Sequence, residues 1–242
     1  MTEQGPRALI TGVSSGIGRA TAELLLAEGW SVIGVDLTPG APDGVRLLTG
    51  DAGDPDVLAD AVDEAGGRLD GLVCAAGLPP NDDWDDPQAW DELIRVDLTA
   101  PYQAVRVGGQ ALGAAGGSVV FLGSIVGPGE GSPRSPAYAA AKAGLEGLAR
   151  SLALILADES VRVNVVAPGA IDTPFDPPLL PAASRPDVPL GRMGRAEEVA
   201  AVISFLLSPA AAYVSGAVWR VDGGRTVLPG TETLRRADQL AE

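Results

Sequence analysis

The sequence contains no histidine. That absence removes Ser-His-Asp and Cys-His nucleophile systems and every metal site that needs an imidazole, and no metal is expected. Cysteine occurs once, as Cys74, so neither an internal disulfide nor a CxxC pair can form. Its place in the apolar run Leu72-Val73-Cys74-Ala75 marks it as a small core residue. No uninterrupted apolar run is long enough to span a bilayer, and residues 1–7 lead into a strand rather than a signal peptide. A soluble, cytoplasmic chain with no membrane partner is therefore expected. Positive charge is scarce as well: 17 Lys and Arg face 32 Asp and Glu, for a formal net charge of −15. Nucleic acid and anionic membranes need a basic patch to displace counterions, so neither is an expected partner.

The scarcest basic residue is lysine, which occurs only at Lys142; the other 16 basic residues are arginine. Arginine holds its proton and presents a planar fork, whereas a lysine ammonium is compact and responds to its surroundings. Lys142 follows Tyr138 by four residues in a run rich in Ala, Leu and Glu, from Ala137 to Ala157, that reads as helix. Residues four apart stack on one helix face, which sets an ammonium beside a phenol. A neighbouring positive charge favours phenolate, the form a general base needs.

With 242 residues and 46% hydrophobic content, one domain spanning 1–242 is expected. The short strand Arg7-Ala8-Leu9-Ile10 runs into Thr11-Gly12-Val13-Ser14-Ser15-Gly16-Ile17-Gly18, ahead of a helix from about Arg19 to Glu28. A strand, a glycine-rich turn and a helix start form a phosphate cradle, with backbone N–H groups and the helix dipole facing an anion. The next strand, Ser31 to Asp36, ends on an acid 18 residues after Gly18. An acid there accepts hydrogen bonds from adenosine ribose hydroxyls and repels a 2′-phosphate, which favours NAD over NADP. A third strand is expected at Arg46-Leu47-Leu48, with Asp51 just past its end. A helix follows from Pro55 to about Glu64, with Asp54 as its cap. Leu69 to Ala75 reads as the fourth strand, Gln88 to Gln110 as one helix or two, Gly117 to Leu122 as the fifth strand and Val161 to Val166 as the sixth. Glu197 to Leu207 reads as helix and Val218 to Val221 as the last strand. This alternation implies an α/β fold, a doubly wound parallel sheet of about seven strands with helices on both faces and ligands at the strands' carboxyl ends. The cofactor half covers about 1–115, the catalytic and substrate half about 116–224, and a tail 225–242. Ser124, 14 residues before Tyr138, falls on the ligand edge, and the proline-rich stretch from Pro174 to Gly191 suits a cover over a pocket.

Taken together, Thr11-Gly12-x-x-x-Gly16-Ile17-Gly18, Asp36, Ser124, Tyr138-x-x-x-Lys142 and Pro168-Gly169 with Thr173 resemble the short-chain dehydrogenase/reductase family, in order from about Arg7 to Gly224. The resemblance implies a single Rossmann-fold domain and a homotetramer or homodimer. It implies hydride exchange between a nicotinamide dinucleotide, here NAD, and a small secondary alcohol or ketone. On it, Tyr138 is the acid/base, Ser124 bonds the substrate oxygen, and Lys142 holds the nicotinamide ribose and tunes Tyr138. Gly12, Ser14, Ser15, Gly16, Ile17 and Gly18 line the pyrophosphate, Asp36 the adenosine ribose, and Asp51 with Ala52 the adenine. Ala76, Gly77, Pro168, Gly169, Ile171 and Thr173 complete the cofactor site.

Two positions depart from the family pattern. Asp97 stands where the family often has Asn supporting a water relay to the lysine, and is counted with the catalytic set. An ionised Asp97 near Lys142 would partly cancel the ammonium's pull on Tyr138. Cys74-Ala75-Ala76-Gly77 replaces the usual Asn-Asn-Ala-Gly, at the expected cost of a sheet-edge hydrogen bond. Val126 and Phe175 are expected beside the substrate with Ser124 and Tyr138, and Leu78, Pro79, Ile125, Leu179 and Leu180 make the pocket apolar. That suits a cyclic, terpenoid-like or steroid-like alcohol. Weaker similarity of Asp70 to Val73 and Ser208 to Val214 to bacterial hydroxysteroid dehydrogenase/carbonyl reductases points the same way. The alternatives are a 3-oxoacyl thioester or polyketide ketoreductase, which in this family normally takes NADPH and a basic carrier-binding patch, and a non-catalytic nucleotide sensor on the same fold.

Overall fold

The computed structural model describes residues 5–80, 85–133, 135–175 and 188–227. In chain order its elements begin with strand β1 (Arg7–Thr11), helix α1 (Gly16–Ala27), β2 (Ser31–Asp36), β3 (Arg46–Thr49), α2 (Pro55–Glu64) and β4 (Gly71–Cys74). Then come α3 (Pro87–Ile94), a π-helical turn (Arg95–Thr99), α4 (Ala100–Gly113), β5 (Ser118–Leu122) and α5 (Pro136–Ile155). The chain continues through β6 (Arg162–Pro168), the two-residue strands β7 (Ile171–Asp172) and β8 (Gly194–Arg195), α6 (Ala196–Leu207) and β9 (Val218–Val221).

Seven strands form one sheet in the order β3-β2-β1-β4-β5-β6-β9, and every pair in it is parallel. A parallel sheet needs both faces covered, and the strands alternate between two apolar clusters with period two. Leu9, Leu72, Cys74, Val119, Phe121 and Val163 pack with α2, α4 and α5 through Leu58, Leu112 and Leu145. Ala8, Ile10, Val73, Val120 and Val166 face the opposite way, onto Leu25 of α1 and Ile203 and Leu206 of α6. The expected doubly wound α/β fold is thus the observed one. Its strand order reverses between β1 and β4, which places the crevice for a ligand at the carboxyl ends of those two strands.

Local signals set most boundaries. Asp54 caps α2 by accepting from the Asp56 N–H, with Pro55 at the first helical position. Two corrections apply. Helix α1 starts at Gly16 rather than near Arg19, inside the glycine turn, so the cradle includes the helix's own first N–H groups. Strand β4 is confined to Gly71–Cys74. The stretch expected as one helix or two is two helices joined by the π turn, and that turn carries Asp97. Residues 228–242, most of the expected tail, and residues 176–187 of the expected cover lie outside the described residues. The flanks of that excursion are tied together, because β7 pairs with β8 through Ile171 opposite Gly194. Among the described residues, no helix is long and apolar enough to cross a membrane, and no group of three or more His, Cys, Asp or Glu is placed to hold a metal ion.

Candidate active site

The carboxyl ends of β1 to β6 open together on a cavity of about 1030 Å³. At its centre the β1–α1 turn passes close to the end of β4. Gly12 adopts φ +72°, and a Cβ on it would lie 2.6 Å from the Ala76 nitrogen. Only glycine meets both conditions. Ser15 is the N-cap of α1 but makes no side-chain capping bond, and the first turn carries no acid. The helix's unpaired N–H groups and its positive end are therefore available beside Gly16, Ile17 and Gly18, which line the cavity. This open helix end and glycine turn fit the pyrophosphate of a dinucleotide. The replaced Asn-Asn pair leaves the sheet edge bonded: Ala75 N donates to the Thr11 carbonyl at 3.2 Å and Ala76 N to Thr11 Oγ1 at 3.3 Å.

Asp36 reaches the cavity from the end of β2 as a fixed carboxylate. Its Oδ2 accepts from Ser14 N, and its Oδ1 from both the N–H and the hydroxyl of Thr38, each at 3.0 Å. Ser14 is placed differently from the sequence expectation: it is not part of the lining, and its hydroxyl donates to the Thr38 carbonyl at 2.9 Å. Its work is to hold the Asp36 loop. Asp51 and Ala52 lie further along the same wall, where Asp51 accepts from Gly53 N at 2.7 Å and from Arg95 Nη1 at 2.8 Å.

At the other end, one helix face presents Tyr138 and Lys142 together, with the ammonium 5.3 Å from the centre of the phenol ring. Both are buried yet line the cavity, as does Ser124 from the end of β5. Ser124 Oγ accepts from Val126 N at 3.1 Å, and its own O–H makes no hydrogen bond among the described residues. Lys142 Nζ donates to the Leu122 carbonyl at 3.1 Å and lies 3.4 Å from Asp97 Oδ1. Asp97, fully buried in the π turn, also accepts from Leu78 N at 3.1 Å, while its Oδ2 has no partner among the described residues. Burial disfavours the Lys142 ammonium, but the charge of Asp97, helped by Tyr138, the Asp97 hydrogen bond and Cys74, outweighs it and raises the lysine pKa. Burial also raises Asp97, and Lys142 and the Leu78 N–H offset this only in part.

Ala76, Gly77, Pro168, Gly169, Ile171 and Thr173 line the same cavity, as do Val126, Phe175, Leu78, Pro79 and Ile125; Leu179 and Leu180 lie outside the described residues. Of the candidate site residues, only Ser14 and Asp97 do not line it, and both support residues that do. Sequence reasoning missed Arg95, Glu130, Ser132, Met193 and Arg225, which also line it. Arg225 carried a usable signal: it follows Asp222-Gly223-Gly224 at the carboxyl end of β9, the edge that supplies the rest of the site.

A family profile described as "Enoyl-(Acyl carrier protein) reductase" matches residues 12–226. The chain is 41% identical, over 91% of its length and 96% of the relative's, to cis-4-hydroxycyclohexanecarboxylate dehydrogenase of Sinomonas cyclohexanicum. The chain belongs to the short-chain dehydrogenase/reductase family. Another relative is the 3-oxoacyl-(acyl-carrier-protein) reductase of Thermotoga maritima, 36% identical over 94% of this chain and all of that one. Among solved structures, the aldohexose dehydrogenase of Thermoplasma acidophilum in ligand-free form superposes with a TM-score of 0.86 at 27% identity, covering 94% of this chain and 97% of that one. As a short-chain dehydrogenase/reductase the chain is an oxidoreductase, and its family works with a nicotinamide dinucleotide.

Proposed function

We propose that this protein is an NAD-dependent oxidoreductase interconverting a ring-borne secondary alcohol and the corresponding ketone. The observation that carries the reading is the convergence of Tyr138, Lys142 and Ser124 on one cavity, with a fixed acid, Asp36, at its far end. Gly12, Ser15, Gly16, Ile17 and Gly18 would hold the pyrophosphate and Asp36 the adenosine ribose hydroxyls, its charge turning away a 2′-phosphate. When bound, the nicotinamide ring supplies the centre that accepts hydride in oxidation and donates it in reduction. Ser124 donates its free O–H to the substrate oxygen. Tyr138 as phenolate takes the hydroxyl proton as hydride leaves the carbinol carbon, and in reduction returns it. Lys142 keeps a positive charge beside the phenol and binds the nicotinamide ribose, and Asp97 holds Lys142 in place.

Leu78, Pro79, Ile125, Val126, Phe175 and Met193 give the substrate end an apolar character that suits a ring. The 41% identity to an enzyme named for a hydroxycyclohexane substrate supports the same class. The 36% identity to 3-oxoacyl thioester reductases favours a second reading, reduction of a 3-oxoacyl thioester; Asp36 and the charge of −15 weigh against it. We propose a cytoplasmic homotetramer or homodimer, supported by exposed apolar side chains on Trp90, Tyr102, Leu154, Ile155 and Tyr213.

The test is steady-state turnover with NAD and NADP in parallel. The panel is 4-hydroxycyclohexanecarboxylate, its methyl ester, cyclohexanol, a hydroxysteroid, open-chain secondary alcohols and a 3-oxoacyl thioester. The expected result is NAD-linked oxidation of ring alcohols. Turnover confined to NADPH and the thioester overturns the reading in favour of the second.

A further inference from the structure

Among the described residues three cationic side chains line the cavity: Arg95, Lys142 and Arg225. Two serve other parts of the site. Arg95 is bound to Asp51 and Glu92 at the nucleotide end, and Lys142 is buried against Asp97. Arg225 stands at the substrate end, against the tight loop that runs on from Ser124. Its guanidinium grips Glu130 with two parallel bonds, Nε to Oε1 at 2.7 Å and Nη2 to Oε2 at 2.9 Å. Each of the two side chains retains 27% of its exposure.

Both partners are held on rigid turns. Asp222 accepts from Gly224 N, Thr226 N and Thr226 Oγ1 at 2.6 to 2.9 Å, which fixes the turn that displays Arg225. Glu130 is fixed by its own N–H donating to the Ile125 carbonyl and its carbonyl accepting from Gly127 N. The result is a preorganised fork that already holds one carboxylate at the edge of an otherwise apolar pocket. An arginine fork matches any carboxylate in this bidentate manner, and a partly exposed internal one is open to exchange.

We propose that Arg225 recognises a carboxylate on the substrate, borne by the ring away from the reacting hydroxyl, and that Glu130 competes for the same fork. This rests on the ring-alcohol reading above and adds the charged group that reading leaves open. In a protein of net charge −15, an anionic substrate needs a local cation. Glu130 sets the strength of that cation: it keeps Arg225 neutralised and aligned until a substrate carboxylate takes its place.

The experiment compares kcat/KM for 4-hydroxycyclohexanecarboxylate and its methyl ester in the parent, Arg225→Gln and Glu130→Gln proteins. It is accompanied by calorimetric binding of cyclohexanecarboxylate and cyclohexanol. Arg225→Gln is expected to lower the acid-to-ester ratio about ten-fold or more, and Glu130→Gln, which removes the competitor, to raise it. A structural clamp alone would lower both substrates equally in both variants and leave the ratio unchanged, and that result overturns the proposal. If neither substrate is turned over, the ring-alcohol reading fails and calorimetry decides this inference separately. Selective weakening of cyclohexanecarboxylate by Arg225→Gln supports it, and equal binding in the parent and variant overturns it.

Discussion

Asp97 Oδ1 lies 3.4 Å from Lys142 Nζ, with both side chains at 5% exposure or less, so the lysine beside the proposed acid/base phenol shares its charge with a buried carboxylate. Asp97 raises the lysine pKa against the effect of burial, so the ammonium persists as pH rises. The same negative charge screens the phenol from the ammonium. Asp97→Asn removes that screen, leaves more positive potential on Tyr138 and favours phenolate. The rising limb of the pH–rate profile for alcohol oxidation is therefore expected to move to lower pH. An unmoved limb, or one moved to higher pH, would falsify this account.

Gly77 supports the same pair. A Cβ on it would lie 2.5 Å from Asp97 Oδ1 and 3.6 Å from Lys142 Nζ. The carboxylate cannot yield without giving up either the Leu78 N–H or the lysine. Gly77→Ala is expected to cost about 1–3 kcal/mol in urea unfolding, the usual range for overpacking a full site. It is also expected to lower kcat. Unchanged stability together with unchanged kcat would mean that the turn relaxes freely.

Tyr138 carries the proton in the proposed reaction, and its removal separates catalysis from binding. Tyr138→Phe keeps the ring beside Lys142 and deletes only the hydroxyl. Turnover is expected to fall about 10²- to 10⁴-fold, the range for a lost general acid/base. NADH affinity, followed by calorimetry, is expected to hold within a few-fold. A non-catalytic nucleotide sensor would keep its function in this variant, and retained turnover would remove Tyr138 from the acid/base role.

Much of this site was legible because its residues lie at strand ends or one helical turn apart. Short apolar runs gave the strands, and Asp54-Pro55 gave the start of α2. The four-residue spacing of Tyr138 and Lys142 was enough to set them side by side. What could not be read depends on hydrogen bonding or on long-range approach. The π turn at Arg95–Thr99 widens the helix by one residue and buries Asp97, and no residue type announces it. Glu130 and Arg225 meet across 95 positions, which local pattern cannot reach. Ser14 was misplaced for the opposite reason. It sits within the glycine motif, yet its N–H and hydroxyl are turned to the neighbouring strand's loop.

Asp36 is held by three donors, and its loop by two further bonds, Ser14 Oγ to the Thr38 carbonyl and Arg19 Nη1 to the Gly40 carbonyl. The acid is therefore fixed before any ribose arrives. Asp36→Ala removes the proposed ribose acceptor and the charge proposed to oppose a 2′-phosphate. The ratio of kcat/KM for NAD over NADP is expected to fall about ten-fold or more, chiefly through a higher KM for NAD. A ratio that stays constant would show that discrimination resides elsewhere along the cavity wall.

Cys74 offers a probe of the sheet beneath the site. It is the one cysteine of the chain, buried at the end of β4 opposite Thr11 of β1. Burial pushes its thiol up to about 12, and the positive charge of Lys142 offsets this only in part. A thiol that resists ionisation is a poor nucleophile, and one within a central strand is reached only when the sheet opens. A disulfide reagent at pH 8 is expected to leave the native protein unmodified over minutes and to titrate one thiol in denaturant. NADH bound as proposed would stabilise the folded form and is expected to slow any native reaction further. Rapid stoichiometric reaction of the native protein would mean that β4 opens independently of the rest of the sheet, and the cavity's central wall would then be far less rigid than its hydrogen bonding implies.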